Sequence, residues 1–133
     1  MKLHALCASA VALTLALISP AHAVSKADKT FILVTTGTLI QVTMCPGYEV
    51  IDGATQKYAD MNGADFDGLK GAIFAAIFAQ IGKDYDRADL LPEVTQLVRG
   101  MFIEMGDDFD RNKSSACSKW GNILLQSGML RRK

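Results

Sequence analysis

The chain has 133 residues, 50% of them hydrophobic, and its 14 basic side chains balance 14 acidic ones. That balance removes nucleic acid and anionic membrane surfaces as expected partners, because both select a basic face. The length and apolar content suit one domain with a true core and argue against a disordered chain.

Residues 1–23 read as a secretory signal. Met1 and Lys2 give a short positive start, and the uncharged stretch from Ala5 to Ile18 follows. Pro20 breaks that stretch, and Ala21-His22-Ala23 supplies the small residues a signal peptidase needs. The apolar stretch is too short to span a bilayer, so cleavage after Ala23 is expected. Residues 24–133 then form a single helical domain, periplasmic or secreted, with no stable membrane insertion.

His4 and His22 are the two histidines, and both leave with the signal. The mature chain therefore has no imidazole for a Ser-His-Asp or Cys-His nucleophile, and none to ligate zinc or haem. Neither an enzymatic activity nor a cofactor is expected. Carboxylate, lysine or tyrosine chemistry stays open, but no diagnostic spacing points to it. Cys45 and Cys117 are the cysteines that remain, and an oxidising compartment allows them one intramolecular pairing. The bridge closes a loop of about 73 residues, which chain-entropy reasoning credits with roughly 4 kcal/mol.

The first mature segment, Asp28 to Met44, is rich in Thr, Val and Ile, a composition that favours strand, and Thr35-Thr36-Gly37 could turn a hairpin. A helix is expected nonetheless, since no other segment supplies strands to complete a sheet. Cys45-Pro46-Gly47 forces a turn. Asp52 is placed to cap a short helix ending at Asn62, with Ala54, Tyr58 and Met61 on one face.

Residues 67–81 form the next expected helix, uncharged from Gly71 to Gly82. Apolar on all sides, it reads as the buried centre of a bundle. From Asp89 to Met105 the periodicity is clearest: Val94, Leu97, Val98, Met101, Phe102 and Met105 follow helical spacing, and Pro92 falls in the first turn. The last helix, near 112–127, aligns Ala116, Trp120, Ile123 and Leu124 with Cys117 beside them. The tail Arg131-Arg132-Lys133 reads as solvated.

Gly63, Gly82, Gly106 and Gly128 each follow a helical stretch and are expected to close it. Three of them precede an Asp-aromatic-Asp triplet: Asp65-Phe66-Asp67, Asp84-Tyr85-Asp86 and Asp108-Phe109-Asp110. In each, an aspartate is expected to cap the next helix. The fold class is thus all-α: a small bundle of about five helices closed by one disulfide.

Candidate sites are few. Asp108, Asp110, Asn112 and Ser114 match the first half of a calcium-binding loop. Lys113 stands where that loop needs glycine, and Lys119 where it needs a bidentate glutamate. Helix capping is the simpler expectation. Trp120 and the pair Phe74 and Phe78 could line an apolar pocket, while Met101 and Met105 read as core filler. Tyr48 and Glu49, on a turn beside Cys45, are candidate contacts for a partner protein.

In outline the chain is similar to periplasmic acid-stress chaperones of the HdeA type and to small helical immunity proteins that neutralise cell-wall-degrading toxins. The likeness is one of architecture: exported, short, helical and bridged once. It carries no residue across. The expectation is an exported helical module that binds another exported or envelope protein, as inhibitor, immunity factor or chaperone. A carrier of a small apolar ligand is the alternative, and a carboxylate-based hydrolase a third.

Overall fold

Residues 30–44, which the sequence leaves open between helix and hairpin, belong to one unbroken helix, α1 (Lys26–Met44), in a computed structural model that describes residues 24–133. The expected signal, residues 1–23, lies outside the described residues. Two local features outweigh the strand-type composition of α1. Ser25 and Asp28 form a reciprocal cap: the Asp28 N–H donates to the Ser25 hydroxyl (3.0 Å), and the Ser25 N–H to the Asp28 carboxylate (3.3 Å). The hydroxyls of Thr30 and Thr43 donate to the carbonyls of Lys26 and Leu39, four residues back, so these polar groups are satisfied along the helix itself.

Tertiary packing does the rest. Gly37 lies in the middle of α1, where a Cβ would stand 2.9 Å from Met101 Cε and 3.3 Å from Leu124 Cδ2. Its bareness lets two later helices close on α1. Thr35, Thr36, Thr38 and Gln41 are buried along the same helix.

After α1 the chain forms β1 (Tyr48–Val50) and α2 (Ala54–Asn62). Asp52 does not cap α2; Gly53, with φ 72°, occupies the cap position without a side-chain bond. Met61 also departs from the expected buried face and is 75% exposed. Asp65 caps α3 (Phe66–Ile81) as the sequence indicates, its carboxylate accepting from the Gly68 N–H at 3.0 Å. Asp86 likewise caps a single 3-10 turn, Arg87–Asp89.

Gly63, Gly82 and Gly128 take the left-handed conformation expected of terminators, but Gly106 does not. It sits inside α4 (Pro92–Arg111), which runs on past it. A mid-helix glycine costs about 1 kcal/mol. Burying Phe109 one turn later returns roughly 1.5–3 kcal/mol, so continuation wins. The Asp108-Phe109-Asp110 triplet therefore lies within a helix. Asn112 alone separates α4 from α5 (Lys113–Leu125) and caps it, accepting from the Ser115 N–H at 2.9 Å.

The centre of the bundle is α4, which packs against α1, α3 and α5. The expected centre, α3, is peripheral: it buries Leu69, Ala72, Ile73, Ala76 and Ile77 but leaves Phe74 46% and Ile81 48% exposed. On α5 the buried set is Ala116, Trp120, Gly121 and Leu124, and Ile123 turns outward at 50% exposure. The core has two lobes. One joins Phe31 and Ile32 of α1 to Ile73 and Ile77 of α3 and Val94 and Val98 of α4. The other joins Cys45 to Met101, Met105 and Phe109 of α4 and Ala116, Trp120 and Leu124 of α5.

The disulfide Cys45–Cys117 ties the end of α1 to α5. Beside it the Gln41 amide donates to the Cys117 carbonyl at 2.9 Å, a second tie between the same helices. The C-terminal tail is no loose end. Leu130–Arg132 forms β2, antiparallel to β1, with Glu49 opposite Arg131 and their side chains 2.7 Å apart. Periodicity does not reveal three-residue strands that meet across nearly the whole chain.

Two outcomes test this packing. Gly121 faces the Tyr48 ring, which a Cβ at that position would overlap. Gly121→Ala should therefore cost about 1–3 kcal/mol in urea unfolding, and Tyr48→Ala in the same chain should recover part of the loss. Replacing both Cys45 and Cys117 by serine should lower the unfolding free energy by about 2–5 kcal/mol, read in the same urea titration.

Candidate functional site

The bundle leaves a cleft of about 290 Å³ where the second half of α1, the end of α3 and the second half of α4 come together. From α1 it takes Thr36, Leu39, Ile40, Thr43 and Met44, spaced to share one helical face. Ile77 and Ile81 of α3 form the opposite side, and Phe102, Gly106, Phe109 and Asp110 of α4 complete the lining. The cleft sits at the seam between the two core lobes: Ile77 belongs to one and Phe109 to the other.

Its polar side chains are three. Asp110 and Thr43 are exposed, and the Thr43 hydroxyl is already bonded to Leu39. Thr36 is fully buried, and its hydroxyl has no hydrogen-bond partner. A buried hydroxyl without a partner costs about 1–3 kcal/mol, so its presence at an apolar cleft is a chemically marked feature. Thr35 Oγ1 and Gln41 Oε1 are also unpartnered, but neither residue lines the cleft. On the α4 side Gly106 has open space where a Cβ would project, so nothing protrudes into the cleft there.

The aromatic residues expected to line a pocket do not line this one. Trp120 is core, and its ring N–H donates to Asp108 at 2.9 Å. Phe78 packs on the first core lobe, and Phe74 lies outward beside it. Met101 and Met105 are core, as their spacing indicates. The residues that do line the cleft were hidden by two readings: the ambiguity of α1, and the placing of a helix end at Gly106. The one signal available in the sequence is the apolar spacing Leu39, Ile40, Met44, which continues the α1 face after the threonines.

Asp108, Asp110, Asn112 and Ser114 are not drawn around a common point. They occupy the last turn of α4, the junction and the first turn of α5, and each existing role is local. Asp108 accepts from Lys119 Nζ at 2.7 Å and from the Trp120 ring, with Arg111 3.7 Å away. Asn112 is spent on capping α5, and Ser114 lies exposed beside the bridge. Among the described residues no group of three or more His, Cys, Asp or Glu could hold a metal ion. Helical backbone explains the difference: a calcium loop needs a turn at the position Lys113 holds, and here that residue opens a helix.

Tyr48 and Glu49 are not on a free turn either. Both lie in β1, Tyr48 against Gly121 and Glu49 paired with Arg131. The wide, open depression beside them is lined by the Cys45–Cys117 bridge, Pro46, Gly47 and Tyr48 on one side and by Lys113, Ser114 and Ser118 of α5 on the other.

Two carboxylates carry strong local bonds. The Lys119 ammonium holds the Asp108 carboxyl below its ordinary value, helped by the Trp120 N–H and the Arg111 charge against partial burial. Burial pushes Asp28 up, but donors from Asp65 and Ser25 outweigh it and leave that carboxyl lowered too. Asp28 thereby ties α1 to the start of α3, accepting from the Asp65 N–H at 2.9 Å.

No protein-family model matches the chain, and searches of curated proteins and of solved structures find no match.

The lowered carboxyls set the sign of the acid response. Their stabilisation is complete above the unfolded-state carboxylate value, near pH 4, and is lost as pH falls through the folded-state values below it. Asp108→Asn should therefore melt below the unmodified protein at pH 7. The gap should shrink steadily below pH 4, as followed by circular dichroism across a pH series.

Proposed function

We propose that the mature chain is an exported, non-catalytic binding protein that carries a small apolar molecule in the cleft between α1, α3 and α4. The observation that carries this reading is the cleft itself: about 290 Å³ of space walled by aliphatic and aromatic side chains, with one buried hydroxyl among them. Small-molecule sites have this character, a mostly apolar concavity with few polar groups to fix orientation. Export is supported by the signal-like residues 1–23 and by a disulfide of the kind that persists outside the cytoplasm. No helix among the described residues is long and apolar enough to cross a membrane.

The volume limits the cargo. At about 25–30 Å³ per non-hydrogen atom, the cleft accepts on the order of ten such atoms. Ligands of that size bind with Kd on the order of 10 µM to 1 mM, which suits a reversible carrier.

A partner-protein reading, as inhibitor, immunity factor or chaperone, rests on a different observation. The outer side of α3 leaves Phe74 and Ile81 about half exposed, and Met44 at the neighbouring end of α1 is 37% exposed. Exposed apolar groups of this size suit an envelope protein that docks there.

Amide NMR decides between the two. Indole, a neutral probe of about the right size, should shift amides of Thr36–Met44, Ile77–Ile81 and Phe102–Asp110 together. Gly106→Leu, which places a side chain in the open space of the cleft, should abolish those shifts while the protein stays folded. Shifts confined to the Phe74 face, or none at all, would contradict the carrier reading.

A further inference from the structure

Val24 is the first residue after the expected cut, and it is anchored at both its side chain and its nitrogen. The side chain packs against the first core lobe, and the N–H donates to Glu93 Oε2 at 3.2 Å. The next residue, Ser25, caps α1. We propose that removal of residues 1–23 turns this nitrogen into a structural cation. The freed α-ammonium of Val24 pairs with Glu93 and clamps the start of α1 to the start of α4. This step rests on the export reading, since a signal peptidase must make the cut.

While Ala23 is attached, the Val24 nitrogen is a neutral amide with a single N–H. Hydrolysis adds water across the Ala23–Val24 bond: the new carboxylate leaves on Ala23, and the amine takes up a proton at neutral pH. One of its three N–H groups keeps the line to Glu93 that the amide already holds, so the chain need not move. Charge is what changes. A neutral N–H becomes a charged donor to a carboxylate, and fully charged pairs of this kind are the stronger ones.

Glu93 is placed to receive a second cation. Its Oε1 stands 3.5 Å from Lys29 Nζ, which leaves Oε2 to Val24. It lies in the first turn of α4, where a negative charge suits the helix dipole and where Leu91 supplies no side-chain cap. Two features oppose the α-ammonium: the Lys29 charge and the positive end of α1. Asp28, which accepts from the adjacent Ser25 N–H, offsets the second. Glu93 is the group in direct contact, so attraction wins. Its side chain is 40% exposed, which keeps the gain to that of a solvated ion pair. A cut one residue away would shift the charge about 3.5 Å along the chain, off the oxygen that Val24 already meets. The export signal and the fold are thus matched at one peptide bond.

Four proteins test the pair: the chain beginning at Val24 with a free or an acetylated α-amino group, each with and without Glu93→Gln. Acetylation restores the neutral amide of the precursor. The Lys29–Glu93 contact is common to both termini, so the cycle isolates the ammonium. NMR titration should place the free α-amino pKa about 0.5 above its ordinary value near 7.7–8.0, and Glu93→Gln should remove the rise. A raised pKa stabilises the fold fully below the unfolded-state value, and the gain is lost as pH rises through the folded-state value. The free-amine protein should therefore melt about 2–4 °C above the acetylated one at pH 6, and the gap should close by pH 10. With Glu93→Gln the gap should vanish or reverse, because Lys29 then stands nearby without its acid. An α-amino group that titrates at or below its ordinary value, or a gap that survives Glu93→Gln, would overturn the ion pair. The cut is read separately, from the first residue of the protein that a bacterial host exports when given the full chain; Val24 is expected. Export with a different first residue overturns the proposal and leaves the export reading standing. Protein that keeps residues 1–23 removes both.

Discussion

The covalent tie between Cys45 and Cys117 fixes where everything else can go. It holds the last turn of α1 against α5, and the Gln41 amide repeats the connection one turn earlier. The second half of α1 is thereby committed to the core lobe built with α5 and the end of α4. Its first half is committed to the other lobe, through Phe31 and Ile32 against α3. α3 meets its own stop at Gly82. A helix bound to two different neighbours at its two ends cannot also seal against the end of α3, and the cleft lies at that seam. Thr36, midway along α1, is the residue the seam leaves without a partner.

Gly37 is the second half of the same arrangement. Because it carries no side chain, Met101 and Leu124 reach the α1 backbone. This close approach turns a stretch with strand-like composition into a helix that serves both lobes. The small polar face of α1 and the apolar face of α4 therefore belong to one packing solution. The threonines are tolerated because most of their hydroxyls bond within the helix or to a neighbouring sulfur.

How far the sequence predicts this fold depends on which residues carry the signal. The helix of Val94, Leu97, Val98, Met101, Phe102 and Met105 is plain, because six apolar residues at helical spacing have no competing interpretation. Asp65 at the start of α3 and the terminators Gly63 and Gly82 are equally plain, since each acts within its own turn. The bridge follows from counting cysteines. What the sequence hides is decided at a distance. Gly106 reads as a stop until Phe109 is known to be buried beyond it. The charge-free stretch of α3 reads as the bundle's centre, yet its outer side faces solvent around Phe74 and α4 takes the centre instead. The strands 48–50 and 130–132 are too short for periodicity and pair only because the bridge brings the start of β1 beside α5. The cleft belongs to this second group. Its walls come from three helices, and only their mutual arrangement makes a space of them.

The central claim is that this space is real, apolar and accessible. A crystal structure determined under xenon pressure tests it most directly, because xenon enters dry apolar cavities without needing a specific bond. The account predicts a xenon atom bounded by Leu39, Ile77 and Phe102. A structure in which Phe102 or Ile81 has collapsed across the seam, with no xenon there, would contradict it.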